Sequence, residues 1–178
     1  MNISVFCGSS SPKNEAYAAA ARELGRRIAD EGHTLLYGGS NLGLMGEVSG
    51  AAMERGGSVV AVIPTIFSEA VIRSQPVSRL VRVSTMAERK EYLIAHSDAF
   101  VALPGGIGTL DEVSEVMVAN QLQHLNKPMV LLNLDGFYAP FLAQLRVMHE
   151  QGLMRADGGL RVAETVEECM ATLGHSIV

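Results

Sequence analysis

Tryptophan is absent from this chain, cysteine occurs twice, and only 5% of the 178 residues are aromatic. Cys7 and Cys169 show no paired spacing with each other or with histidine, which excludes a disulfide framework and a Cys/His zinc site. His33, His96, His124, His149 and His175 show no ligand spacing either, so no metal site is expected. No apolar run approaches the ~20 residues of a membrane span. The opening Met-Asn-Ile-Ser-Val-Phe lacks the basic region and long apolar stretch of a signal peptide. Positive charge is also short: 14 Lys plus Arg stand against 19 Asp plus Glu, a net charge of -5. That excludes the broad basic face that exchanges for counterions on nucleic acid. Two nucleotide signatures are missing as well. Gly8-Ser9-Ser10-Ser11 replaces a G-x-G-x-x-G turn after the first strand, and no Gly-Lys-Ser/Thr occurs anywhere. A cytoplasmic protein with no cofactor and no membrane or nucleic-acid partner is expected.

What is present reads as alternation. Apolar residues make up 48% and charged residues 19%, a globular composition, and the length suits a single domain over residues 1–178. Short β-branched runs predict strands at Ile3–Cys7, Thr34–Tyr37, Val59–Ile63, Leu80–Val83, Ala99–Leu103 and Met129–Leu134. Between them, amphipathic stretches predict helices at Ala16–Glu31, Leu44–Arg55, Ala87–His96, Leu110–Leu125 and Phe137–Gln151. Thr65–Gln75 reads as a loop with at most one helical turn. A strand at Leu160–Val162 and a helix at Val166–Leu173 complete the chain. The pattern predicts an α/β, Rossmann-like, doubly wound parallel sheet of about six or seven strands with helices on both faces. Ligands of such sheets bind beyond the carboxyl ends of the strands. Three glycine- and serine-rich stretches, Gly8–Ser11, Gly38–Gly46 and Gly105–Thr109, fall at such ends.

Each stretch has a structural reading beside a functional one. Thr109-Leu110-Asp111-Glu112 fits a capping box, with Thr109 as N-cap and Glu112 at N3. Gly105–Thr109 also suits an anion, because glycine lets backbone N–H groups approach and the helix end is positive. Gly43 and Gly46, one helical turn apart, serve either a close packing contact or a ligand. Met86-Ala87-Glu88-Arg89-Lys90-Glu91 is by itself an ordinary solvated helix start. It gains interest only because Arg89 and Lys90 would neighbour an anion site.

Met86-x-x-Arg89-Lys90 followed by Pro104-Gly105-Gly106-x-Gly108-Thr109-x-x-Glu112 resembles the double signature of the Lonely Guy (LOG) family, nucleotide 5'-monophosphate phosphoribohydrolases. Val5–Ser10, Tyr37-Gly38-Gly39 with Gly43–Gly46, Lys127-Pro128 and Leu132–Tyr138 extend the resemblance from about residue 3 to residue 153. It implies hydrolysis of AMP or an N6-modified AMP to free base and ribose 5-phosphate, by a homodimer. Arg89 and Glu112 are implied as catalytic. Gly8, Ser9, Gly38, Gly39, Met86, Lys90, Gly105, Gly106, Ile107, Gly108, Thr109, Asp111 and Glu115 are implied as substrate-binding. Breaking the N-glycosidic bond builds positive charge on the ribose while the 5'-phosphate stays negative, so N–H donors and a carboxylate are both needed. A Glu112 held ionised by the helix end would stabilise that cation and would be a poor general acid. Three residues depart from the family pattern: Ser40 replaces a glycine, Ala87 a histidine, and Ala119 a tryptophan near the site wall. Many such chains carry a lysine decarboxylase label, yet only Lys13, Lys90 and Lys127 are available as Schiff-base candidates here. The alternative from another class is a nucleotide- or molybdenum-cofactor-binding carrier without turnover.

Overall fold

A computed structural model describes residues 1–67, 77–154 and 158–174. Its strands are β1 (Asn2–Phe6), β2 (Thr34–Tyr37), β3 (Ser58–Pro64), β4 (Arg79–Val83), β5 (Ala99–Ala102), β6 (Met129–Leu132) and β7 (Leu160–Ala163). They form one parallel sheet in the order β4-β3-β2-β1-β5-β6-β7. The helices are α1 (Glu15–Asp30), α2 (Gly43–Glu54), α3 (Met86–His96), α4 (Ile107–Gln121), α5 (Ala139–Glu150) and α6 (Val166–Gly174). No helix among the described residues is long and apolar enough to cross a membrane.

The strands are apolar almost throughout because both faces of the sheet are covered. Successive side chains point to opposite faces and enter two separate cores. Val5, Leu35, Tyr37, Val59, Ala61, Val101 and Val130 pack on the α1, α2 and α6 side. Phe6, Leu36, Val60, Val62, Phe100, Ala102 and Leu131 pack on the other with Leu93 of α3, Val113 of α4 and Tyr138, the N-cap of α5. Ser4 points to that second face, where its hydroxyl lies 2.7 Å from the Ser97 hydroxyl, so this buried polar group is satisfied.

Winding runs outward from β1 through β2 and β3 to β4, then α3 returns the chain to β5 on the other side of β1. Loops leaving β1 and β5 therefore diverge, and the crevice between them is where such sheets take ligands.

Helix starts place the charged residues. Thr85 caps α3 by accepting from the Glu88 N–H at 3.1 Å, while Glu88 accepts from the Ser84 N–H at 2.7 Å. At α4 the expected capping box is absent. The helix begins at Ile107, three residues before the expected Leu110, with Gly106 as N-cap and no side-chain cap bond. The Thr109 and Leu110 N–H groups already donate to the Gly106 carbonyl, at 3.0 and 3.1 Å. Thr109 thus lies inside the helix, buried, and Glu112 sits in its second turn. Residues 68–75 of the expected Thr65–Gln75 loop, and His175, lie outside the described residues.

Candidate active site

The strand-end loops are stitched together at Gly8. Its N–H donates to the Pro104 carbonyl at 3.2 Å, and its own carbonyl accepts from the Met45 N–H at 3.3 Å. The loops after β1, β2 and β5 thereby wall a cavity of about 810 Å³. Gly8, Ser9, Gly38, Gly39, Met86, Arg89, Gly105, Gly106, Gly108, Thr109 and Glu112 line it, drawn together from stretches more than a hundred residues apart in the chain. Lys90, Ile107, Asp111 and Glu115 do not. Ile107 is 82% exposed. The Lys90 ammonium is 2.9 Å from Asp111 Oδ2 and 2.6 Å from Glu115 Oε2, a second link between α3 and α4 outside the cavity.

Arg89 and Glu112 form the charged centre. Arg89 Nη2 donates to Glu112 Oε1 at 2.7 Å, with side-chain exposures of 9% and 3%. Arg89 Nε is buried with no hydrogen-bond partner among the described residues, so the guanidinium keeps a donor in reserve. Burial pushes the Glu112 carboxyl up to about 7, against the Arg89 charge, which favours ionisation. This corrects the expectation of a carboxylate held ionised by the helix end: the dipole fades beyond the first turn, and desolvation dominates in the second. Glu112 can therefore hold or release a proton near neutrality. The Cys7 thiol, also on the cavity wall, is raised well above the usual range by burial and then by Glu112, and so is no thiolate nucleophile.

The glycines divide by cause. Gly39, at φ +80°, is confined by its backbone, and a Cβ there would strike the Ile63 side chain. A Cβ on Gly43 would strike the Ser9 and Ser10 backbone, and one on Gly46 that of Asn41, so packing against loops explains both. Gly106 and Gly108 differ. Both line the cavity, neither has positive φ, and a Cβ on either would meet nothing within 4 Å. Packing therefore does not require glycine at these two positions.

Several wall residues were not anticipated as site residues. Ile63 and Phe67 follow from their place at the end of β3, and Lys13 continues the Gly8–Ser11 loop. Tyr17 and Phe137 meet edge-to-face with centroids 5.8 Å apart, a tertiary pairing that local pattern does not show, although Phe137 falls within the Leu132–Tyr138 stretch of the resemblance. Of the departures, Ser40 lines the cavity and Ala87 does not. Ala119 is not at the cavity wall either. It lines an outer recess of about 440 Å³ with Asp111, Ser114, Glu115, Val118, Leu122 and His124. Among the described residues, no group of three or more His, Cys, Asp or Glu side chains could hold a metal ion.

A family model described as "Possible lysine decarboxylase" matches residues 45–173. Cytokinin riboside 5'-monophosphate phosphoribohydrolase LOG of Oryza sativa subsp. japonica is 43% identical over 87% of this chain, and the chain spans 64% of that relative's length. Cytokinin riboside 5'-monophosphate phosphoribohydrolase LOG3 of Arabidopsis thaliana is 41% identical over 85% of this chain and 71% of its own. Among solved structures, the molybdenum cofactor carrier protein MCP from Chlamydomonas reinhardtii superposes with a TM-score of 0.76 at 28% identity, covering 99% of this chain and 97% of that one. The sheet, the double signature and the extent of these matches together mean that the chain belongs to the LOG family.

Proposed function

We propose that the protein hydrolyses the N-glycosidic bond of a nucleoside 5'-monophosphate, AMP or an N6-modified AMP, to the free base and ribose 5-phosphate. One observation carries this: a buried Arg89–Glu112 pair opens on the same cavity as a glycine turn in which an added Cβ on Gly106 or Gly108 would meet no protein atom. The N–H groups at the start of α4 hold the phosphate. Glu112, as carboxylate, stabilises positive charge as the C–N bond breaks and orients the attacking water. Arg89 keeps Glu112 in place, and its Nη1, which lies beside the cavity glycine Gly38, is placed to reach the ribose or phosphate. Water is the only co-substrate, so no cofactor is invoked. The relatives' names support the reaction class. We further propose a single cytoplasmic domain acting as a homodimer.

A non-turning carrier is the competing reading, supported by the likeness to the Chlamydomonas protein. The cavity argues against it, since a binder of anions gains nothing from a buried carboxylate. Purified protein incubated with AMP, N6-isopentenyl AMP, adenosine and ATP, assayed for free base and ribose 5-phosphate, separates the two. Turnover of a monophosphate far above adenosine and ATP is expected. Tight binding without release of base from any monophosphate would favour the carrier.

A further inference from the structure

Among the described residues, the charged side chains on the cavity wall are Lys13, Arg89 and Glu112. Arg89 is committed to Glu112, 2.7 Å away. Lys90, the cation expected beside the phosphate, is held by Asp111 and Glu115 outside the cavity. A phosphate monoester carries nearly two negative charges, while backbone N–H groups supply only partial positive charge. Among the described residues, Lys13 is the cation on this wall that has no hydrogen-bond or ion-pair partner. Its neighbours are fixed. Asn14 caps α1 by accepting from the Ala16 N–H at 3.0 Å and donates to Asp135 Oδ2 at 2.9 Å. That second bond ties the lysine's base to the turn before Phe137, which lines the same cavity. Pro12 restricts the backbone on the other side.

We propose that Lys13 is the cation that binds the substrate's 5'-phosphate and produces the preference for a monophosphate over a nucleoside. The proposal rests on the phosphoribohydrolase reading above. A lysine suits the task as a mobile point charge: its anchored base places it, and its flexible arm folds onto the anion when the ligand arrives.

The test uses the full chain with Lys13→Met, Lys13→Arg and Lys90→Met. Kinetics are measured with AMP, and ribose 5-phosphate binding by calorimetry at about 50 and about 300 mM salt. Lys13→Met should raise KM for AMP and Kd for ribose 5-phosphate by about tenfold, the effect of one partly exposed charge. Its kcat should change less than about threefold, because the contact is made equally in ground and transition states. Lys13→Arg should restore both constants to within about threefold, and the salt dependence of Kd should be weaker in Lys13→Met than in the wild type. Wild-type KM and Kd in Lys13→Met, or the same loss in Lys90→Met with none in Lys13→Met, would overturn the assignment. If the wild type binds ribose 5-phosphate through Lys13 but hydrolyses no nucleotide, the reaction is wrong and the phosphate contact stands. If it neither binds ribose 5-phosphate nor turns over AMP, both fall. Lys13 is exposed and unpartnered, so misfolding does not confuse the result.

Discussion

Arg89 on α3 donates a 2.7 Å hydrogen bond to Glu112 on α4, and the pair is buried at the edge of a cavity rather than on the helix surfaces. The two residues are 23 apart in sequence. A second bridge, Lys90 to Asp111 and Glu115, joins the same two helices on their outer side. The outer bridge is solvated and contributes little to stability. The inner pair is desolvated, so removing one partner strands the other charge.

Glu112→Gln keeps an acceptor for Arg89 and removes the negative charge. We expect kcat on the preferred monophosphate to fall about 10²–10⁴-fold, while ribose 5-phosphate still binds. Arg89→Ala should in addition lose about 3–5 kcal/mol of stability in chemical denaturation, because a buried carboxylate is left uncompensated. Wild-type turnover in Glu112→Gln would remove the carboxylate from the mechanism.

The pH dependence follows from the Glu112 carboxyl lying near 7 in the folded protein against an ordinary value of 4.5. Between those values the folded state binds more protons than the unfolded one, so this group's contribution to stability falls as pH rises through the window. Subtracting the melting curve of Glu112→Gln from that of the wild type isolates the effect. The difference should shift against the wild type from about pH 4.5 to about pH 7 and be flat above. A shift in the opposite direction would mean that Arg89 outweighs desolvation. For activity, kcat/KM should rise with pH through about 7 in the wild type, as the carboxylate form accumulates, and lose that limb in Glu112→Gln.

Gly108 and Gly39 separate ligand contact from packing. Gly108 lies in the first turn of α4, and an added Cβ meets no protein atom. Gly108→Ala should leave stability unchanged or raise it by about 0.5–1 kcal/mol, the helix preference of alanine over glycine. It should nevertheless lower kcat/KM at least about tenfold by crowding the phosphate. Gly39→Ala, forced into positive φ against Ile63, should instead lower stability by about 1–3 kcal/mol. A fully active Gly108→Ala protein would show that no ligand approaches that turn.

Ala119 faces the outer recess, not the cavity. Ala119→Trp should therefore change kcat/KM for AMP and for N6-isopentenyl AMP alike, leaving their ratio within about threefold of the wild type. A selective loss on the bulkier nucleotide would place residue 119 beside the base after all.

Periodicity was enough to read the alternating strands and helices, the parallel sheet, and the strand ends where the glycine stretches lie. These features rest on local physics: β-branched runs buried on both faces, amphipathic repeats, and turn residues between them. The signature residues were legible too, and Arg89, Glu112 and most of the glycines do meet on one cavity wall. Local pattern misled where competing partners exist only in three dimensions. Thr109 reads as a cap until the Gly106 carbonyl takes its N–H. Lys90 reads as a phosphate ligand until α4 brings Asp111 and Glu115 to it. Glu112 reads as a dipole-stabilised anion until helix packing removes it from water. Tyr17 and Phe137, 120 residues apart, become neighbours only when the loops after β1 and β6 converge. Side-chain partnership and desolvation depend on distances between elements, and those are set by how the helices pack on the sheet.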